Sequence, residues 1–229
     1  MIHTPEALAD CGADAPSSDA GDAQAPMDLA SRGEVRLERF LDVATELFCE
    51  KGYQHTRLSE IVARAGGSLA TLYRAFGDKE GLVRAIIQRR KDRMRSSIQA
   101  LILDDMEPEH ALRAVAEEIA EQISTREAQV VYRIALGEGS SFPDLRDWFF
   151  EHAVASVRST LSRYFELQIA AGRMKMTCPA AASNQFFMML SGDVILGISS
   201  GHVREPDPAQ LRQHALGAVD TFLYGTLPR

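Results

Sequence analysis

The chain has 229 residues, 45% hydrophobic and 25% charged, a balance suited to a soluble globular protein of one large or two modest domains. Its cysteines, Cys11, Cys49 and Cys178, are scattered, with no Cys-x-x-Cys and no paired-histidine spacing. That excludes a disulfide scaffold and a structural zinc site, predicts no metal or cofactor, and fits a reducing cytoplasm. The net charge of −7 hides an asymmetry: residues 1–31 carry −6, residues 32–95 carry +5 and residues 96–229 carry −6. The middle segment is therefore the one suited to phosphate.

Residues 1–31 hold six acidic side chains, no Lys or Arg and almost no large apolar ones. They predict a disordered acidic tail, without the charged start and apolar run of a signal peptide. From Arg32 onward helical periodicity takes over. Phe40, Ala44, Leu47 and Phe48 form a stripe stopped at Lys51-Gly52. Leu58, Ile61, Val62 and Ala65 form a shorter one stopped at Gly66-Gly67. Ser68 reads as the N-cap of a third helix carrying Leu72 and Phe76 inward. Gly77 ends that helix and Asp78 caps the next, which continues through Leu82, Val83, Ile86 and Ile87 towards Met94.

Further amphipathic stretches follow at Leu112–Ile123 and Val130–Ile134, then a long helix from about Asp144 to Ala171, opened by Pro143 and ended by Gly172. Pro179 opens another helix to about Ser200, and 208–225 form the last. No stretch alternates with period two, so the fold class is all-α. The most apolar run, Phe186 to Ile198, is interrupted by Ser191, Gly192 and Asp193 and is too short for a membrane span. The expected organisation is a tail (1–31), a compact helical unit that carries the basic segment (32–90) and a larger helical part (91–229).

Leu58 to Phe76 carries the function: two short helices on a tight glycine joint are the pattern of a helix-turn-helix. The second helix of that motif enters the major groove while the first crosses the backbone. Its N-terminus must be small and polar, as Ser68, Ala70 and Thr71 are. Tyr73 and Arg74 reach outward from the same helix, Tyr73 as a candidate DNA contact whose plainer alternative is a packing aromatic with a wet hydroxyl. Lys79, at a helix N-terminus, is a candidate phosphate contact or an ordinary solvated charge, and so are Arg32, Arg36 and Arg39. Thr56 reads as a cap for the second helix.

This segment resembles the tetracycline-repressor (TetR/AcrR) family of transcription regulators. The resemblance runs through Phe40, Leu41, Ala44, Leu47, Phe48, Gly52-Tyr53, Thr56, Ile61, Ala65-Gly66, Ser68, Ala70-Thr71-Leu72-Tyr73, Phe76, Lys79-Glu80 and Leu82. It covers about residues 34–90; Phe142-Pro143-Asp144-Leu145 also looks like a feature of one regulator subgroup. The resemblance implies phosphate contacts at Ser68, Tyr73 and Lys79 and near Arg57 and Ser59, with base contacts at Leu69, Ala70 and Thr71. Two positions depart from the family's habit. Gly67 replaces a common valine, which predicts a looser joint, and Leu69 replaces a polar residue and could meet a thymine methyl.

The family also implies a homodimer on a palindromic operator, formed by the last two helices, and release by a small apolar or amphipathic effector. Candidate interface residues are Phe187, Val194, Leu211, Ala215, Ala218, Val219 and Phe222, a stripe that serves an intrachain core equally well. Candidate pocket residues are Tyr132, Trp148, Phe149, His152, Tyr164 and Met188, with Met174 in the same adaptable set; Arg133, Arg158 and Asp193, like His152, lie among apolar neighbours and could orient a polar group, the plainer reading of each being a surface-exposed or internally paired side chain. The bland reading of each aromatic is plain core. No catalytic signature is present, which argues against an enzyme. A purely structural helical interaction protein would leave the basic segment and the Ser68–Phe76 spacing unexplained.

Overall fold

The structure is a computed structural model describing residues 25–102 and 106–226, the first eight and last two of these by backbone alone. The chain divides into two units, Met1–Val35 and Arg36–Arg229. Residues 1–24 of the expected acidic tail lie outside the described residues, and the backbone is helical from Ala25, ahead of Arg32.

The helices are α1 (Ala25–Lys51), α2 (Leu58–Ala65), α3 (Leu69–Phe76), α4 (Lys79–Leu101), α5 (Pro108–Ser124), α6 (Arg126–Tyr132), α7 (Pro143–Phe149), α8 (Ala155–Ala170), α9 (Pro179–Ser199) and α10 (Pro208–Thr226). Two π turns interrupt the α pattern. Arg133–Gly137 continues α6, and Phe150–Val154 joins α7 to α8, so the long helix expected from Asp144 is one rod with a widened turn. Among the described residues there is no strand, and no helix is long and apolar enough to cross a membrane. The fold is all-α.

Local chemistry sets the boundaries. Ser68 Oγ accepts the Thr71 N–H at 3.1 Å and Asp78 Oδ1 accepts the Gly81 N–H at 2.7 Å, satisfying donors that a helix start leaves open. Gly52 and Gly77 stop α1 and α3 at φ of 81° and 77°, where a Cβ would be strained. α4 runs through the boundary expected after residue 90 and packs on α3 at one end and on α5, α6 and α8 further along. The buried cluster is continuous from Phe40 to Leu223, so the two functional segments share one core. Arg89 of α4 ties elements together by pairing with Glu38 and Asp42 of α1, each at 2.8 Å, and Glu127 of α6 at 2.9 Å.

Candidate nucleic-acid interface and internal cavity

α2 and α3 are too short to be stable alone; the surrounding core holds them. Ile61 and Leu72 are fully buried, and Phe76 meets the Phe40 ring edge-on at 6.5 Å. Arg64 pairs with Glu46 and Glu50 of α1, and Lys51 pairs with Glu60, all at 3.0 Å. Glu60 also accepts the Arg57 N–H at 3.3 Å; the Lys51 bond and then this one hold its carboxyl below the usual range. Arg57, not Thr56, is the N-cap of α2. Thr56 is buried, and its hydroxyl lies 2.9 Å from the Gly52 carbonyl and 3.2 Å from that of Leu47, tying down the α1–α2 loop.

The joint is tight where looseness was expected. Gly67 has φ 146°, and a Cβ there would sit 2.9 Å from Phe40 Cζ. Glycine is what lets the turn close against the ring, because valine at this backbone angle would be strained and would clash.

The structure places Arg57, Ser59, Ser68, Leu69, Ala70, Tyr73 and Arg74 in exposed positions along the start of α2 and the outer face of α3. Thr71 is half-buried, its hydroxyl 2.9 Å from that of Ser68. Tyr73 is 51% exposed and Leu69 39%, so α3 presents both large side chains to solvent. Arg36 and Arg39 on α1 are exposed as well, while the side chain of Arg32 lies outside the described residues.

Lys79 departs from the expectation. Its ammonium donates to the carbonyls of Tyr53 (2.8 Å), Thr56 (3.1 Å) and Gln54 (3.3 Å) and lies 4.5 Å from the Tyr53 ring centre. An ammonium has three N–H groups, and all three are committed to the α1–α2 loop. Partial burial pulls its pKa below the ordinary value, against the pull of the Glu138 carboxylate. The same loop reaches the other half of the chain: Gln54 donates to Glu138 at 3.1 Å, and Tyr53 meets Phe142 edge-on at 4.9 Å. Desolvation, with help from nearby carboxylates, pushes the Tyr53 pKa up to about 12.

A cavity of about 440 Å³ lies among α4, α6, α8, α9 and both π turns. Of the six expected residues it gathers Tyr132, Phe149 and Met188. Trp148 and His152 are not on the cavity wall: Trp148 is half-buried against the core and His152 is exposed. Trp148 stacks on His152 at 4.8 Å beneath Arg84, one residue away from Phe149 and therefore turned aside by about 100°. Tyr164 is buried away from this cavity and packs on Phe165 at 5.9 Å. The sequence reading missed Arg90, Lys91 and Phe150, which also line the cavity; Arg158, offered as able to orient a polar group, lines it too. Among the described residues no cluster of His, Cys, Asp or Glu has the makings of a metal site.

The expected dimer stripe also needs correction. Leu211, Ala215, Ala218, Val219 and Phe222 are no more than 8% exposed in the single chain, because α10 lays that face on α5 and α9. Phe187 is buried and turned to the cavity, and Val194 is half-buried. What remains outward on these helices is a different set, with Leu196 67% exposed, Tyr224 85% exposed and a shallow groove bordered by Met189, His214, Gly217 and Thr221.

The family model for bacterial regulatory proteins of the tetR family matches residues 40–86, and that for the AefR-like transcriptional repressor C-terminal domain matches residues 110–225. The HTH-type transcriptional repressor ComR of Escherichia coli K12 is 37% identical over 86 residues, 36% of this chain and 41% of ComR. The chain thus spans about two-fifths of the length of the first curated relatives it matches. A Mesorhizobium loti structure assigned to the TetR-family transcriptional regulators superposes with a TM-score of 0.74 at 23% identity, covering 86% of this chain and 99% of that one. The flavonoid-responsive regulator FrrA gives a TM-score of 0.60 at 27% identity, again over 86% and 99% of the two chains. With both halves matched and the helix-turn-helix in place, the chain belongs to the TetR family of bacterial transcription regulators, DNA-binding proteins and not enzymes.

Proposed function

We propose that this protein is a homodimeric repressor that binds a palindromic operator and is released by a small-molecule effector held in the internal cavity. Residues 32–90 serve as the DNA-reading part and residues 91–229 as the effector and dimer part, working in the cytoplasm where the DNA lies. The observation that carries the reading is α3: anchored by Leu72, capped by Ser68, and presenting Leu69, Ala70, Tyr73 and Arg74 to solvent. Its free N-terminal amides, with the exposed Arg57 and Ser59, suit phosphate, and Leu69 and Ala70 suit thymine methyls in the major groove. Lys79 serves by fixing the loop that aims α2 and α3.

One such head binds weakly, so two are needed, on half-sites about 34–36 Å apart. The outward faces of α9 and α10 supply the contact with a second copy. Gly217 has open space around its Cα, so another helix can approach closely, and Tyr224 and Leu196 supply exposed apolar area.

Three features support effector control. The cavity size suits a small ligand. Both π turns contribute to its wall, through Leu136 on one and Phe150, Ala153 and Val154 on the other, and such turns recur at functional sites. The first π turn runs into Glu138 and Phe142, which touch the loop that Lys79 holds. A ligand that favours a different setting of that turn shifts the population of head orientations, by no more than its differential affinity.

The test is selection of random duplex DNA on the purified protein. Enrichment of a palindrome supports a dimeric reader; no enrichment at low salt from a folded, dimeric sample removes the reading.

A further inference from the structure

The cavity wall is chemically lopsided. It carries three cationic side chains, Arg90, Lys91 and Arg158, and no carboxylate. Arg90 is only 7% exposed, and it makes no ion pair among the described residues. The nearby carboxylate, Glu127, is taken by Arg89 and Arg93 on either side. Arg90 instead donates to neutral oxygens: the Gln122 carbonyl at 2.8 Å, Tyr132 Oη at 3.3 Å and Thr125 Oγ1 at 3.5 Å, with its guanidinium 5.6 Å from the Tyr132 ring centre. These partners orient the group without neutralising it. Among the described residues, Arg158 Nε is buried with no hydrogen-bond partner, and Lys91 is half-buried and makes no ion pair. A buried charge without a counter-charge, and a buried donor without an acceptor, are both costly unless something else fills the role.

The rest of the wall is apolar and largely aromatic. Tyr132 and Phe149 meet edge-on at 6.3 Å and Phe149 and Phe150 at 5.7 Å, with Phe187 and Met188 also on the lining. Phe150 and Met188 are each about half exposed, which places them where the cavity opens to solvent.

We propose that the cavity takes an amphipathic organic anion, a carboxylate on an aromatic or alkyl body. The body fills the aromatic slot and the head group supplies the counter-charge that Arg90, Lys91 and Arg158 lack. The proposal rests on reading the cavity as the effector site and adds the chemical class of its occupant.

The experiment uses the full chain and matched pairs of probes differing only in charge: biphenyl-4-carboxylate against biphenyl-4-carboxamide, and dodecanoate against dodecan-1-ol. Affinities come from calorimetry, and release of the selected operator from fluorescence anisotropy. The acid of at least one pair binds about tenfold or more tighter than its neutral partner, as a charge-assisted contact provides, and releases DNA. Arg158→Leu and, separately, Lys91→Met bring that ratio towards one, because the acid loses more affinity than its neutral partner. Lys91 is only half-buried, so its replacement serves even if Arg158→Leu folds poorly. Gly192→Leu, whose Cβ alone would sit 2.9 Å from Met188 Cε and so displaces that side chain on the cavity wall, weakens both members of a pair. Equal binding and equal DNA release by acid and neutral probe overturn the charge assignment and leave the effector site standing. No binding by any of the four probes to protein that still grips its operator overturns both.

Discussion

Replacing Lys79 with methionine separates two roles that a lysine beside a DNA-reading helix could have. Methionine keeps the length and the apolar stem and removes the three donors. The bonds lost are those at 2.8, 3.1 and 3.3 Å to the carbonyls of Tyr53, Thr56 and Gln54. In a half-exposed setting they are together worth about 1.5–3 kcal/mol, since the carbonyls regain some water. The ammonium over the Tyr53 ring adds about 0.5–1 kcal/mol. Part of this returns because a partly buried charge no longer has to be desolvated, so the expected net loss is about 1–3 kcal/mol. For a chain of this size that lowers Tm by about 2–4 °C per kcal/mol. Urea melts measure the loss directly.

The second readout is the dependence of operator affinity on salt, by anisotropy from low to moderate salt. Each phosphate contact contributes about 0.9 to the slope of log K against log salt, and a dimer loses two contacts per substitution. With the outward-reaching Arg74 as one phosphate contact per head, Arg74→Ala flattens the slope by about 1.8 and leaves stability nearly unchanged, because Arg74 is exposed. Lys79→Met does the opposite: stability falls and the slope holds. If Lys79→Met flattens the slope by as much as Arg74→Ala while the melt stays put, the assignment of Lys79 to the loop is wrong.

Other perturbations test other joints. Gly67→Val, which restores the residue common in the family, costs about 1–3 kcal/mol in a urea melt from backbone strain alone, with the Phe40 contact adding to it; an unchanged or raised midpoint would contradict the tight-joint reading. Gly217→Glu places a charge on the open face of α10, and sedimentation should show monomers with helix content intact and operator affinity sharply reduced. Persistence of the dimer would move the interface elsewhere. Burial pushes Tyr53 and Tyr164 up to about 12 from a usual 10, so the neutral phenol is favoured in the fold. That stabilisation is full below pH 10 and is lost as pH rises from 10 towards 12, because the unfolded chain ionises first. Tyr53→Phe should flatten part of the decline in the urea midpoint; a curve with the wild-type slope would remove Tyr53 as its source.

Much of the helical frame was legible because it is written in short-range chemistry. The caps at Ser68 and Asp78 and the stops at Gly52, Gly66, Gly77 and Gly172 act within a turn of their own position, and stripe periodicity follows directly from the helix repeat. What a stripe cannot say is which surface buries it. Leu211, Ala215, Val219 and Phe222 looked the same whether they met α5 or another chain. The basic run Arg89-Arg90-Lys91 was read only as charge, although Arg90 falls in register with Val83, Ile86, Ile87, Met94 and Ile98 on the buried face of α4. A cation inside an apolar stripe was the available signal for the cavity. Lys79 and the π turns were out of reach, since one depends on carbonyls 23 to 26 residues away and the others on a register that composition does not encode.

The widened turn at Phe150–Val154 has a consequence for how such a protein diversifies. A π turn holds one residue more than the α turn it replaces, so deleting that residue restores the α pattern while both flanks keep their places. Side chains within the turn are re-aimed by about 100° in the process, whereas Val157, Leu161 and Phe165 further along α8 keep facing the core. Ligand preference can therefore drift by single-codon gains and losses at this turn. Substitutions in the core, which would also disturb the head that reads DNA, are not required.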